Sequence, residues 1–98
     1  MDSRFKCDSI DDLFQAFLAL ETIEECYAFF EDLTTIPELK SLAQRLQVAK
    51  MLLDNETYTV ISKNTGASTA TISRVKNSLF YGAEGYKIII NRLKEQKQ

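Results

Sequence analysis

The stretch that most constrains this chain runs from residue 57 to residue 80, TYTVISKNTGASTATISRVKNSLF. It predicts two short helices joined by a tight turn. Thr57 can cap the first helix, and Ser68 can cap the second, of residues 69–80. Between the helices lies Gly66, the residue type that leaves a helix through a left-handed backbone at least cost. This spacing is typical of a helix-turn-helix, whose second helix enters the major groove of DNA.

The apolar residues of this stretch fall where a core shared by the two helices would need them. Ile61 lies on the first helix, and Ile72 and Val75 lie on the second. Ala67 is placed to pack beneath the turn, and the small side chain of Ser62 lets the two helices approach closely. The pattern therefore predicts one buried side for the pair of helices.

The residues expected to face outward have side chains that suit DNA. Hydroxyl groups bond phosphates or base edges, small side chains let a helix lie deep in a groove, and cations neutralise phosphate. The predicted DNA-binding residues at the second helix are Ser68, Thr69, Ala70, Thr71, Arg74 and Lys76, with Thr57 and Lys63 added from the first helix. The alternative is a protein-interaction module in which the helix-turn-helix is only a scaffold, because Ser and Thr before a helix mostly act as caps.

Charge is unevenly distributed along the chain, whose formal net charge is -2. Residues 1–56 hold twelve acidic and five basic residues, and residues 57–98 hold two acidic and seven basic residues. The half that carries the helix-turn-helix is therefore the basic half, which favours a nucleic-acid partner more than the net charge does. Charge on helical surfaces can also serve solvation alone.

Composition favours a single all-α domain. The chain has 98 residues, three Gly, one Pro and no long alternation of β-branched residues. It has no apolar run long enough for a membrane span, and residues 1–9 lack the apolar core of a signal peptide. We therefore expect a cytoplasmic protein, in which Cys7 and Cys26 are free thiols.

Helical periodicity predicts six short helices. Residues 1–8 have no periodicity and are expected to form a flexible arm, and Ser9 is expected to cap a first helix. Thr22 begins a stronger capping box, and Pro37 suits the first turn of a third helix. The predicted organisation is a set of dimerisation helices over residues 9–56, the helix-turn-helix over 57–80, and a C-terminal helix over 83–95.

The first two helices carry more aromatic surface than a short helix pair can cover, including Tyr27, Phe29 and Phe30. A monomer of this size buries only about 60–65% of its chain surface. The sequence therefore predicts a homodimer, whose two recognition helices, about 34 Å apart, would read successive turns of the major groove. In the interaction-module alternative, the same aromatic residues would dock a protein partner.

No pattern in the sequence indicates an enzyme. The chain has no His, no Gly-rich phosphate loop, no nucleophile elbow and no cluster with metal-ligand spacing. We therefore expect no catalytic residues and no metal site.

Several segments together resemble the Trp repressor family. They are Leu42-Ala43-Gln44-Arg45, the run from Thr65 to Arg74, and Asn77-Ser78-Leu79. The likeness covers about residues 33–93 and is greatest to the Trp-repressor-like branch of small bacterial regulators. It implies an all-helical, intertwined homodimer that binds operator DNA as a transcriptional regulator, most often a repressor.

The resemblance also implies roles for particular residues. The family's two ligand-holding arginines fall on Arg45 and Arg74, its ligand-contacting Ser falls on Ser78, and its DNA-facing turn begins at Ala67. Val75 stands where tryptophan-binding members have Gly, so its side chain would fill part of the indole slot. We therefore expect no cofactor, or a small corepressor other than tryptophan. A tryptophan-responsive repressor is the disfavoured alternative.

Both arginines also have simpler interpretations. Arg45 can pair with an acidic neighbour such as Glu38 or Glu56, and Arg74 can contact a DNA phosphate without any effector.

Overall fold

The structure, a computed structural model, describes residues 6–97, which form six helices and no strand. The helices are α1 (Asp8–Ala19), α2 (Ile23–Leu33), α3 (Ile36–Leu53), α4 (Tyr58–Thr65), α5 (Thr69–Tyr81) and α6 (Gly85–Gln96). The all-α, six-helix prediction is confirmed. The chain divides into two compact units, Met1–Ile36 and Pro37–Gln98. Across residues 6–97, every helix is too short or too polar to cross a bilayer.

The start of α1 differs from the prediction that Ser9 caps it. Ser9 lies inside the helix, and the N-cap position is held by Cys7, which makes no capping bond with its side chain. Lys6 pairs with Asp11 at 2.9 Å, and Asp8 places a carboxylate in the first turn, where the helix end is positive. These charges favour a helix that begins earlier than Ser9. Residues 1–5 of the predicted arm lie outside the described residues, and Asp8 is already helical.

The start of α2 follows its predicted capping box with one change. Thr22 Oγ1 accepts a hydrogen bond from the Glu25 backbone N–H at 3.1 Å. Glu25 Oε1 accepts from the backbone N–H of Glu21 at 2.9 Å, one residue before the cap. Both bonds satisfy donors that the first turn of a helix leaves free.

The apolar side chains of the first unit pack on one another without being buried. Phe17 lies 5.3 Å from Phe30 and 6.0 Å from Phe29, measured between ring centroids. None of the residues of α1 or α2 is buried. Leu18 is 79% exposed and Tyr27 is 64% exposed. The first unit therefore presents a large apolar surface.

The second unit has a closed core. Its side chains come from α3, α4, α5, α6 and the turn between α4 and α5, and all are nearly inaccessible. They are Val48, Ala49, Ile61, Ala67, Ile72, Val75, Leu79 and Ile90. The predicted buried side of the helix-turn-helix is confirmed, and α3 and α6 complete the core around it.

Local hydrogen bonds define the helix-turn-helix as predicted. Thr57 Oγ1 accepts from the Val60 N–H at 3.3 Å, and Ser68 Oγ accepts from the Thr71 N–H at 3.1 Å. Gly66 takes a left-handed φ of 75° at the end of α4.

The C-terminal helix starts later than the predicted residue 83. Glu84 has a left-handed φ of 72°, so the chain is not helical until Gly85. This left-handed turn separates α5 from α6 and delays the start of α6.

Candidate nucleic-acid interface and the pocket beside it

The N-terminal part of α5 presents polar side chains to solvent. We call this set the recognition face: Ser68, Thr69, Ala70, Thr71, Arg74 and Lys76. Thr71 is half-buried and the other members are exposed. On the opposite side of α5, Ile72, Val75 and Leu79 are buried. The core therefore fixes which side of the helix faces solvent.

Ala67 does not belong to this exposed set. It is only 2% exposed, its N–H donates to Thr65 Oγ1 at 3.1 Å, and its carbonyl accepts from Ser62 Oγ at 2.9 Å. Its side chain is therefore turned away from solvent, and both of its backbone groups are hydrogen-bonded within the turn. The buried methyl group agrees with the expectation that Ala67 packs beneath the turn. The DNA-facing role that the resemblance implies for the turn at Ala67 stays a prediction.

The two predicted contacts on α4 lie towards opposite ends of that helix. Thr57 is exposed, but its hydroxyl oxygen already serves as the cap of α4. Lys63 is exposed in the last turn of α4, close in the chain to the turn. Of the two, Lys63 carries the charge that suits phosphate, and the capping hydroxyl of Thr57 can still donate its own O–H.

A contact between α4 and α5 that the sequence did not predict holds Lys76. The Lys76 Nζ lies 5.7 Å from the centroid of the Tyr58 ring, and the Tyr58 hydroxyl lies 3.4 Å from Ser73 Oγ. Ser73 and Lys76 are three residues apart on α5, which places them on one side of the helix. The cation–ring contact therefore fixes the position of one cation of the recognition face.

Next to the recognition face, residues of α3, α5 and α6 line an open pocket of about 320 Å³. We call it the arginine pocket. Its lining residues are Ser41, Gln44, Arg45, Thr71, Arg74, Val75, Ser78 and Tyr86. It thus brings together Arg45, Arg74 and Ser78, which are far apart in sequence. Their role in binding an effector remains a prediction.

The arginine pocket carries positive charge without a matching carboxylate. Its lining includes two guanidinium groups and no Asp or Glu. Arg45 Nη2 donates to Ser41 Oγ at 3.4 Å. The ion pairs found within residues 6–97 join Lys6 to Asp11, Lys87 to Glu84 and Lys94 to Asp54. Neither arginine of the pocket belongs to one of them.

Two lining residues give the pocket its apolar part. Val75 is 2% exposed and belongs to the core as well as to the pocket wall. Tyr86 is half-buried and comes from α6. The place of Tyr86 in the pocket was not predicted, because the meeting of α3, α5 and α6 at one pocket leaves no local pattern in the sequence. Residues 6–97 contain no group of His, Cys, Asp and Glu able to hold a metal ion.

Gln44 connects the pocket with the turn of the helix-turn-helix. It lines the pocket, and its Nε2 donates a hydrogen bond to the Thr65 carbonyl at 3.0 Å. Thr65 is the last residue of α4 and precedes the left-handed Gly66. A side chain of α3 therefore satisfies a carbonyl that the end of α4 would otherwise leave free.

The sequence of this chain matches a known protein family over most of its length. The sequence model of the Trp repressor protein matches residues 8–94. This chain belongs to the Trp repressor family. Members of that family are DNA-binding regulators and not enzymes. The family resemblance expected from the sequence is therefore confirmed.

Individual relatives agree with this assignment. The YerC protein of Bacillus subtilis (strain 168), which is uncharacterised, is 56% identical over 86 residues, covering 88% of this chain and 83% of YerC. A crystal structure of a proposed Trp repressor from Staphylococcus aureus is 52% identical, with a TM-score of 0.89 over 93% of this chain and 91% of that chain. A TrpR-like protein from Eubacterium eligens ATCC 27750 is also 52% identical, with a TM-score of 0.90 over 93% and 94% of the two chains.

Proposed function

We propose that this protein is a sequence-specific transcriptional repressor that binds operator DNA as a homodimer in the cytoplasm. The observation that carries the proposal is the recognition face, where hydroxyl groups, one methyl group and two cations stand on a helix whose other side is buried. This composition suits a helix that enters the major groove. Membership of a family of DNA-binding regulators supports the same conclusion.

The residues of the interface divide by what they would contact. Lys63, Lys76 and the backbone at Ser68 would bond phosphates, which position a protein without reading sequence. Base edges would be read by Thr69, Ala70 and Thr71, which occupy the first turn of α5. Arg74, one turn further along, would reach a phosphate or a guanine.

The exposed apolar surface of the first unit supports the homodimer. Leu18, Ile23 and Tyr27 are largely exposed in the single chain. Exposed apolar side chains that lie together are typical of protein–protein interfaces. A two-fold dimer would place two recognition helices about 34 Å apart, the repeat of one turn of DNA.

Selection from a randomised duplex pool tests the DNA-binding function. Wild-type protein without any effector is expected to enrich a two-fold symmetric site at moderate salt. Arg74→Ala is expected to weaken binding, whereas Arg92→Ala, an exposed arginine of α6 outside the recognition face, is expected to leave it unchanged. No enrichment by wild type at either moderate or low salt would contradict the proposal.

A small effector in the arginine pocket is a second candidate for regulation, supported by the convergence of Arg45, Arg74 and Ser78. Such an effector would be an anion and not tryptophan. Val75 fills space in the pocket wall, and no lining carboxylate is present to pair with an amino acid's ammonium group. Calorimetry with millimolar tryptophan is expected to give no binding heat, and a saturable heat would overturn this exclusion.

A further inference from the structure

Two residues belong to both the recognition face and the arginine pocket. Thr71 lies in the first turn of α5, and Arg74 follows one turn later. Both also line the pocket, together with Arg45 of α3. The pocket therefore borders the side of α5 that would face DNA. Anything that the pocket holds lies at the edge of the proposed interface.

The chemistry of the pocket suits an oxyanion. Its two guanidinium groups are outside the ion pairs found within residues 6–97, and its lining has no carboxylate to compete for them. Guanidinium groups bind phosphate and carboxylate oxygens through paired N–H donors. Hydroxyl groups of Ser41 and Ser78 add further donors at the same pocket.

We propose that the arginine pocket receives a phosphate of the DNA backbone and that Arg45 is a DNA contact. This inference rests on the proposed DNA-binding function. Arg74 approaches the phosphate from α5, and Arg45 approaches it from α3, a helix outside the helix-turn-helix. In this arrangement a phosphate of the operator occupies the space that a small effector would otherwise fill. A protein built this way binds its operator without a corepressor.

The salt dependence of DNA affinity tests the proposal, because each neutralised phosphate adds to the slope of log affinity against log salt. Full-length wild type, Arg45→Ala and Arg92→Ala would be titrated on the selected operator and on a random duplex of equal length. Arg45→Ala is expected to reduce the slope by about 0.9 per half-site. Its loss of affinity should be similar on both duplexes, since a phosphate contact carries no base information. Arg92→Ala should keep the wild-type slope.

A second variant and a second ligand separate the alternatives. Arg45→Lys retains the charge and is expected to keep most of the salt slope. An equal loss of slope in Arg45→Ala and Arg45→Lys would indicate damage to the fold and contradict the proposal. Inorganic phosphate at fixed ionic strength is expected to weaken operator binding by wild type more than by Arg45→Ala. An unchanged salt slope in Arg45→Ala would overturn the proposal. If inorganic phosphate then raised the melting temperature of wild type but not that of Arg45→Ala, the pocket would be assigned to a free anion. Failure of wild type to bind any duplex would instead reject the proposed function.

Discussion

The two units of this molecule use similar helices in opposite ways. In the second unit, α3, α4, α5 and α6 enclose eight buried side chains, and its recognition face is polar. In the first unit, α2 begins with a side-chain cap and four phenylalanine rings of α1 and α2 contact one another, yet none of the residues of these two helices is buried. Both units consist of helices, so what distinguishes them is whether their apolar side chains are buried.

The exposed side of the first unit indicates where this protein is expected to bind a partner. A helix of about a dozen residues is marginal in water and depends on packing of its apolar side. The second unit supplies that packing from within its own chain. The first unit exposes Leu18, Ile23 and Tyr27, so its stability is expected to come from a second copy of the chain. On the proposed function, the second unit would read DNA and the first unit would hold the dimer together.

The largest expected effect is the loss of a core side chain in the second unit. Leu79→Ala removes a buried group of α5 and should lower the free energy of unfolding by about 2–5 kcal/mol. Tyr81→Ala, two residues along the same helix and 85% exposed, should change it by about 0.5 kcal/mol or less. Urea unfolding followed by circular dichroism measures both. Equal costs would remove the contrast between a buried and an exposed side of α5.

The next largest effect concerns the exposed surface of the first unit. Leu18→Glu places a charge on the proposed dimer interface and should weaken dimerisation by about 2 kcal/mol or more, roughly 30-fold. Gln15→Glu adds the same charge to the same helix at an exposed polar position and serves as the control. Size exclusion with light scattering, repeated over a range of concentrations, gives the dimer fraction.

The result distinguishes the two interpretations of this surface. A variant as dimeric as wild type would show that the interface lies elsewhere. A monomeric wild type with these apolar residues exposed would favour the interaction-module alternative, in which a different protein covers them.

The smallest effects compare helix caps in the two units. Ser68→Ala and Thr22→Ala each remove a capping hydrogen bond and should cost about 1 kcal/mol. Ser9→Ala should cost almost nothing, because Ser9 lies inside α1 and caps no helix. Unfolding midpoints of the three variants in one buffer make the comparison. If Ser9→Ala lowered the free energy of unfolding as much as Ser68→Ala, Ser9 would cap α1 after all.

Local chemistry made much of this fold predictable. Caps at Thr57 and Ser68 and the left-handed turn at Gly66 depend on bonds between near neighbours in sequence, so they could be read from the residues. Ser9 was misassigned because charges at neighbouring positions favoured an earlier start of α1. Glu84 could not have been expected in a left-handed conformation, which non-Gly residues rarely adopt.

The site was predictable in its members but not in its arrangement. Motif position indicated Ala67 as part of the interface, but only packing against the core decides the direction of its side chain. Likewise, Arg45 and Arg74 could be named from the sequence, whereas the contribution of Tyr86 and Gln44 to the same pocket depends on contacts between α3, α5 and α6. Long-range packing therefore carries the information that the local pattern lacks.

The hydrogen bond from Gln44 to the Thr65 carbonyl bears on how this recognition unit could be re-engineered. A helix-turn-helix is often treated as a cassette that can be moved between scaffolds. Here the end of α4 depends on a donor from α3, and the core beneath α5 contains Val48, Ala49 and Ile90 from α3 and α6. A chimera carrying residues 57–81 alone would leave that carbonyl without its donor and expose the underside of both helices. The smallest transplantable unit of this protein therefore begins with α3 and ends with α6.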